Sequence, residues 1–150
     1  MIPEPLILIE ELQTPVEDLW ALLTEPEKIA TWLAGGSEID LRAGGTYRLT
    51  GHLVARPLAE PVGGPILGLE EEYVLKVAWQ LPAELGAAVR SATPSTTLTV
   101  LFQPLGPNRT RLRLEQDGWR EGEEWTAARR WQSEAWTEVL SRLKPKASTG

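Results

Sequence analysis

The last part of the chain carries a broad apolar stripe at helical spacing. From Gly122 to Leu143, apolar residues recur at three- and four-residue steps, and this is the period of one wide apolar helix face. The interspersed polar residues, Gln132 among them, are expected to stay wet. We predict one long helix over this stretch, closed by Pro145. An apolar face of this width requires a sheet to cover it.

The middle of the chain alternates apolar and polar residues with period two, which predicts several strands with one buried face each. The short apolar run from Leu6 to Ile9 predicts a first strand. The outer face of a later strand carries Arg109, Arg111 and Arg113, which either form a solvated stripe paired with carboxylates or bind an acidic partner. The residues predicted to face inward on the later strands are Tyr47, Leu49, Gly51, Leu53, Tyr73, Leu75, Val77, Trp79, Leu81, Leu98, Val100, Phe102, Leu112 and Leu114.

Two short helices are predicted after the first strand. Thr14 fits the N-cap of a helix and Pro15 its first position. Glu17, at the third helical position, completes a capping box with Thr14. Pro26 predicts the start of a second helix that ends near Leu33, before a pair of glycines.

The order of elements is one strand, two short helices, a run of antiparallel strands and a long helix. This order predicts a single α+β domain over residues 1–150. The sheet is expected to curve, because one helix cannot cover a wide flat sheet. Residues 56–64 are predicted to form a loop, and 82–94 a long, mobile connection near the mouth of any cavity.

Composition limits the classes of function. The chain of 150 residues has no cysteine, which excludes a disulfide framework, a thiol nucleophile and a thiolate metal site. Its net charge of -6 argues against nucleic acid or an anionic membrane as a partner. Neither a signal peptide nor a membrane span is indicated, so a cytoplasmic location is expected.

The stretches described so far, taken in order, also carry a family resemblance. They resemble the AHSA1-type branch of the START-like superfamily, also called SRPBCC or Bet v 1-like, as a bacterial stand-alone member. The resemblance covers nearly the whole chain. It rests on Pro15–Trp20, Thr24–Glu27 followed by Trp32-Leu33, Arg42–Leu49, Gly64–Glu70 with Leu75–Trp79, Thr97–Leu114, and Gly118-Trp119.

The resemblance implies a helix-grip fold, in which a curved antiparallel sheet wraps a long C-terminal helix and leaves a cavity between them. Members of the wider superfamily bind lipids, sterols, polyketides or other apolar molecules, and the eukaryotic branch stimulates the chaperone Hsp90. Those eukaryotic activators carry a second, N-terminal domain, which is not expected here.

The leading hypothesis is therefore non-enzymatic binding of a small apolar or amphipathic ligand, with no cofactor, metal or catalytic residue. The alternatives are a cyclase- or hydrolase-type enzyme that uses the same cavity, and a chaperone-associated interaction module. Under each hypothesis the protein is expected to be a monomer or a homodimer. The tryptophans predicted to lie between the sheet and the helix either fill the core or line a pocket. The candidate cavity residues are Tyr47, Leu49, Leu75, Val77, Trp79, Phe102, Trp119, Trp125 and Trp131.

The single histidine, His52, is the one residue whose ordinary pKa lies near neutrality. Its strand register places it opposite the inward residues Tyr47 and Leu49. We predict no catalytic role for it.

Overall fold

The computed structural model describes residues 3–148. It is an α+β helix-grip fold, as expected: a curved antiparallel sheet holds a C-terminal helix of 26 residues. The elements are β1 (Leu6–Leu12), α1 (Val16–Thr24), α2 (Pro26–Ile29), β2 (Ala34–Asp40), β3 (Thr46–Leu53), β4 (Arg56–Pro57), β5 (Val62–Glu70), β6 (Val74–Trp79), a 3-10 turn (Ala83–Leu85), α3 (Ala87–Arg90), β7 (Thr96–Gly106), β8 (Arg109–Asp117) and α4 (Glu123–Ser148).

The sheet runs in the order β1-β8-β7-β6-β5-β3-β2, with β4 paired to β3. Every pairing is antiparallel, and the register shifts between Ala34 and Gly36 in β2 and between Ile66 and Gly68 in β5. Such irregularities bend the strands that carry them. The sheet therefore forms a half-barrel, and α4 lies against its concave side.

Strand alternation predicted the buried face of the sheet well. Of the inward positions named above, Gly51 and Tyr73 are exposed, Tyr73 by 58%, and the others are buried. Gly51 interrupts the alternation of β3 because its φ of +80° departs from strand geometry. The prediction for Tyr73 is wrong because this residue lies in the turn before β6, so the strand begins one residue later.

The helix boundaries differ from the predicted ones in three places. Helix α4 continues through Pro145 to Ser148, because a proline in the last turn removes a single helical hydrogen bond. The capping box at the start of α1 does not form, and the Thr14 carbonyl instead accepts a bond from the Thr110 hydroxyl. Helix α2 ends at Ile29 and not near Leu33, although the turns after it still bury Trp32 and Leu33.

Glycine-rich segments predicted as breaks or loops form strands. Strand β2 passes through Gly35 and Gly36, and β5 begins at Val62. At Gly63, where φ is +93°, an added Cβ would lie 2.1 Å from the Tyr47 carbonyl oxygen. Glycine is thus required here because β5 approaches β3 too closely for any side chain.

A buried chain of hydrogen bonds attaches α4 to the sheet. The Trp136 indole N–H donates to the Gln116 side-chain oxygen at 2.7 Å, and the Gln116 amide donates to the Thr96 hydroxyl at 2.9 Å. That hydroxyl donates to the Trp79 carbonyl at 2.7 Å, while the Trp119 indole donates to the Gln116 carbonyl at 2.8 Å. One glutamine on β8 therefore sets the position of the helix against three strands.

We expect Trp136→Phe to lower the free energy of unfolding by about 1–3 kcal/mol, because it leaves the buried Gln116 oxygen without a donor. The matched control is Trp131→Phe on the same helix, where the side chain is half-buried. Denaturant unfolding at neutral pH measures both variants. Equal losses for the two substitutions would show that the hydrogen bond to Gln116 contributes nothing specific.

Candidate functional site

One small cavity lies in the concave interior, between the middle of the sheet and α4. Its volume is about 30 Å³ and its walls are almost wholly apolar. Trp136 and Val139 supply the helix wall. Six of the nine residues proposed from the sequence line it, namely Tyr47, Leu49, Leu75, Val77, Trp79 and Phe102.

The three other sequence candidates do not touch this cavity. Trp119 is buried and Trp125 and Trp131 are half-buried, along the first half of α4 and the segment that leads into it. Each indole lies under a guanidinium group, an arrangement that favours cation–π attraction. The pairs are Arg129–Trp119, Arg120–Trp125 and Arg56–Trp131, with 5.8, 5.0 and 5.5 Å between the guanidinium carbon and the ring centroid.

Tyr47 carries the phenol in the cavity wall. Its hydroxyl donates to the Leu23 carbonyl at the end of α1, at 2.6 Å. Complete burial raises the pKa of this phenol well above its ordinary range, because the charged form would lose its hydration. Tyr47 thus joins the sheet to α1 and remains a neutral donor.

Two buried side chains, one in the cavity wall and one on α4, have polar atoms without a protein partner among the described residues. One is Trp79, whose indole nitrogen makes no hydrogen bond although the side chain is 1% exposed. The other is Gln132 on α4, 0% exposed, with neither its amide nitrogen nor its oxygen paired. Most buried polar atoms in proteins have a partner, so this pair requires an explanation.

The expectation that Gln132 stays wet is wrong. Residues four apart share one side of a helix, and Gln132 lies one turn from both Ala128 and Trp136, which are buried. Its position on the helical wheel was therefore a sufficient signal. The polarity of Gln132 predicts an exposed side chain and its helical position predicts a buried one, and the position decides the outcome.

The connection between β6 and β7 contacts α4 through its 3-10 turn and α3. Arg90 at the end of α3 donates to the carbonyls of Pro61 and Leu81, at 2.6 and 2.8 Å, and its guanidinium lies 3.6 Å from Glu60. The mobility predicted for residues 82–94 stays a prediction. Arg90 and Glu84 both bond this segment to the loop before β5, since the Glu84 carboxylate accepts from the Ala59 N–H at 3.3 Å.

His52 lies on the exposed face of β3, opposite Tyr47 and Leu49, as its register predicted. Its Nδ1 is 2.8 Å from the Val54 carbonyl oxygen. Within residues 3–148, no cluster of three or more histidine, aspartate or glutamate side chains is arranged to hold a metal ion. No helix in the same range is long and apolar enough to cross a membrane.

Comparison with known proteins agrees with this architecture. Residues 13–146 match the family model described as activator of Hsp90 ATPase homolog 1-like protein. A search of curated proteins finds no match.

Solved structures share the fold at low sequence identity. Protein MLL2253 from Mesorhizobium loti is 20% identical over 94% of both chains, with a TM-score of 0.74. PFC0360w, an HSP90 activator from Plasmodium falciparum, is 18% identical over 91% of this chain and 89% of its own, with a TM-score of 0.67. The Aha1 dimer from Colwellia psychrerythraea is 13% identical over 95% of both chains, with a TM-score of 0.72.

The raised pKa of Tyr47 predicts a contribution to alkaline unfolding. The unfolded chain releases this proton above about pH 10 while the folded chain retains it, so stability falls as the pH rises. We expect Tyr47→Phe to make the decline above that pH shallower, by up to ~1.4 kcal/mol per pH unit. Denaturant unfolding measured at several alkaline pH values tests this, and an unchanged slope would contradict it.

Proposed function

The chain belongs to the family of activator of Hsp90 ATPase homolog 1-like proteins, and within it we propose a protein that binds a small amphipathic ligand between the curved sheet and α4. The observation that carries this proposal is the unpaired amide of Gln132, buried one helical turn from the cavity wall at Trp136. Support also comes from the unpaired Trp79 indole in the wall itself.

The energetics of these polar groups favour a ligand over simple core packing. Each buried polar group left without a partner costs about 1–3 kcal/mol. An apolar side chain at position 132 would fill the space between helix and sheet without that cost. Gln132 therefore weakens the free protein, and a bound ligand with a polar group offsets the weakening.

The ligand must open the interior as it enters. A volume of about 30 Å³ corresponds to roughly one water molecule, far below the several hundred Å³ of ordinary ligand pockets. The entrance that we propose lies at the middle of α4, where Arg56 covers Trp131 and the Ala55 N–H donates to Glu138 at 3.1 Å. These are contacts at the surface, and they separate without disturbing the buried bonds of Gln116.

The chemistry of the two unpaired groups defines the ligand class. Gln132 offers a donor and an acceptor side by side, and Trp79 offers a donor. A carboxamide or a protonated carboxylic acid provides the complementary pair. The ligand that fits is thus an apolar body with one such group, held in apolar walls that contribute roughly 25 cal/mol for each Å² removed from water.

The test compares naphthamide with methylnaphthalene, which share an apolar body and differ in the polar group. We expect both to bind and to change tryptophan emission, with naphthamide bound about tenfold more tightly, a difference of ~1.4 kcal/mol. Trp79→Phe should reduce the emission change. Absence of saturable binding by either probe would refute the proposal.

Gln132→Met separates the polar contact from the apolar walls. We expect it to remove the preference for naphthamide. We also expect it to raise the free energy of unfolding by about 1–2 kcal/mol, because methionine has a similar volume to glutamine and leaves no buried amide unpaired. Gln103→Met is the matched control, since Gln103 is exposed on the outer face. A loss of stability in Gln132→Met would show that the amide is satisfied within the fold.

A second candidate function is association with Hsp90, favoured by the family match and by the neighbour from Plasmodium falciparum that is described as an HSP90 activator. It is measured by the ATPase rate of purified Hsp90 with and without this protein. Stimulation without any probe binding would place this candidate first.

A further inference from the structure

One margin of the sheet is open. Strand β1 pairs with β8 on one side and, among the described residues, with no strand on the other. Its outward side chains include Ile7 and Ile9, which are 43% and 51% exposed. Natural sheets commonly protect such a margin with charge, proline or a bulge, because it is a template for further pairing.

The hydrogen-bonding pattern across the sheet shows which groups this margin presents. The Phe102 N–H donates to the Tyr73 carbonyl at 2.8 Å, on the β6 side of β7. The backbone groups of Phe102 thus point toward β6, so Phe102 and its register partner Leu112 on β8 share no backbone hydrogen bonds. Leu112 therefore directs its own N–H and C=O to the other side, toward β1.

The alternation continues into β1. Glu10 is the register partner of Leu112, so the even-numbered residues of β1 bond to β8. The odd-numbered residues direct their backbone groups away from the sheet. The open margin therefore presents the backbone N–H and C=O groups of Ile7 and Ile9. The side chains of the same two residues are exposed on the outer face of the sheet.

We propose that β1 is an interaction surface for a second copy of this chain, joined by antiparallel pairing of the two β1 strands about a two-fold axis at Leu8. In this register each Ile7 faces Ile9 of the second copy, and both backbone bonds form in each pair. The four isoleucine side chains form one apolar cluster on the outer face. The two sheets become continuous across the axis.

The neighbouring registers are disfavoured by charge. An axis at Ile7 would set Glu10 opposite Glu4 of the second copy, and like charges directly opposite each other are destabilising. An axis at Ile9 would set each Ile7 opposite Glu11, so that one apolar pair is lost.

The axis at Leu8 avoids both conflicts. It places Glu10 opposite Leu6 and Glu11 opposite Pro5. The carboxylate of Glu11 is already held by Arg109 and Arg111, whose nitrogens lie 3.3 and 2.9 Å away. No glutamate faces another across the axis.

A groove on the inner side of this margin gives the second strand room. It lies between β1 and the outer flank of α4, has a volume of about 420 Å³, and includes Leu8, Thr137 and Leu140 in its walls. Leu8 and Leu140 supply the apolar part of this groove, against which the inward leucines of a second β1 strand fit. Lys144, 2.5 Å from Glu10, lies at the rim. The ladder is short, so we expect a dimer that dissociates on dilution.

Sedimentation of the full chain, from low micromolar to near-millimolar concentration, tests the surface. We expect a reversible monomer–dimer equilibrium in the wild type and a monomer in Ile9→Lys. The matched control is Leu67→Lys, since Leu67 is 52% exposed on β5 inside the sheet, and it should dimerise as the wild type does. A wild type that stays monomeric throughout, or an Ile9→Lys variant that still dimerises, overturns the proposal.

Cysteine crosslinking tests the register. Because the chain has no cysteine, any disulfide in a single-cysteine variant joins two copies. At the axis the two Leu8 Cα atoms would lie about 4.5 Å apart, within disulfide range, whereas the two Ile7 Cα atoms would lie ~7–8 Å apart. We expect oxidation to link Leu8→Cys efficiently and Ile7→Cys poorly. The reverse order would exclude this pairing.

Discussion

The fold depends on how the last helix is held in the curved sheet. Helix α4 brings the Trp136 ring to 5.3 Å from that of Trp79, and the Trp136 N–H bonds to Gln116 on β8. Burial of the two rings drives the association, but it does not define one position along the helix. The bond to Gln116 does so, because any displacement of one turn would leave a buried indole N–H and an amide unpaired.

Gln132 shows how the same helix departs from the best possible packing. Its neighbours Ala128 and Ala135 are buried without polar cost, whereas its own amide is buried and unpaired. A sequence selected for stability alone would place an apolar residue there. Departures of this kind are expected where a function acts against folding. The buried, unpaired amide of Gln132 is therefore the observation on which the proposed ligand site rests.

The limits of sequence reasoning follow from the range of each interaction. Strand alternation is local, so Leu49, Val77 and Phe102 were correctly predicted to face the interior. The misassigned elements depend on contacts distant in the chain: Gly63 is in a strand because β3 lies against it, and Thr14 is buried because its carbonyl meets Thr110 of β8. The unpaired state of buried groups depends on every neighbour and has no local signature.

An open half-barrel has two margins, and here the two differ physically. Strand β2 carries Glu38 and Asp40 on its exposed positions and a register shift near its glycines, features that discourage a further strand. Strand β1 carries exposed isoleucines instead. If both margins were apolar, β1 of one copy would pair with β2 of the next and the sheet would grow without end. In the proposed dimer, the protection of β2 leaves β1 to pair with its own copy, so that association closes at two chains and leaves the concave interior of each chain free.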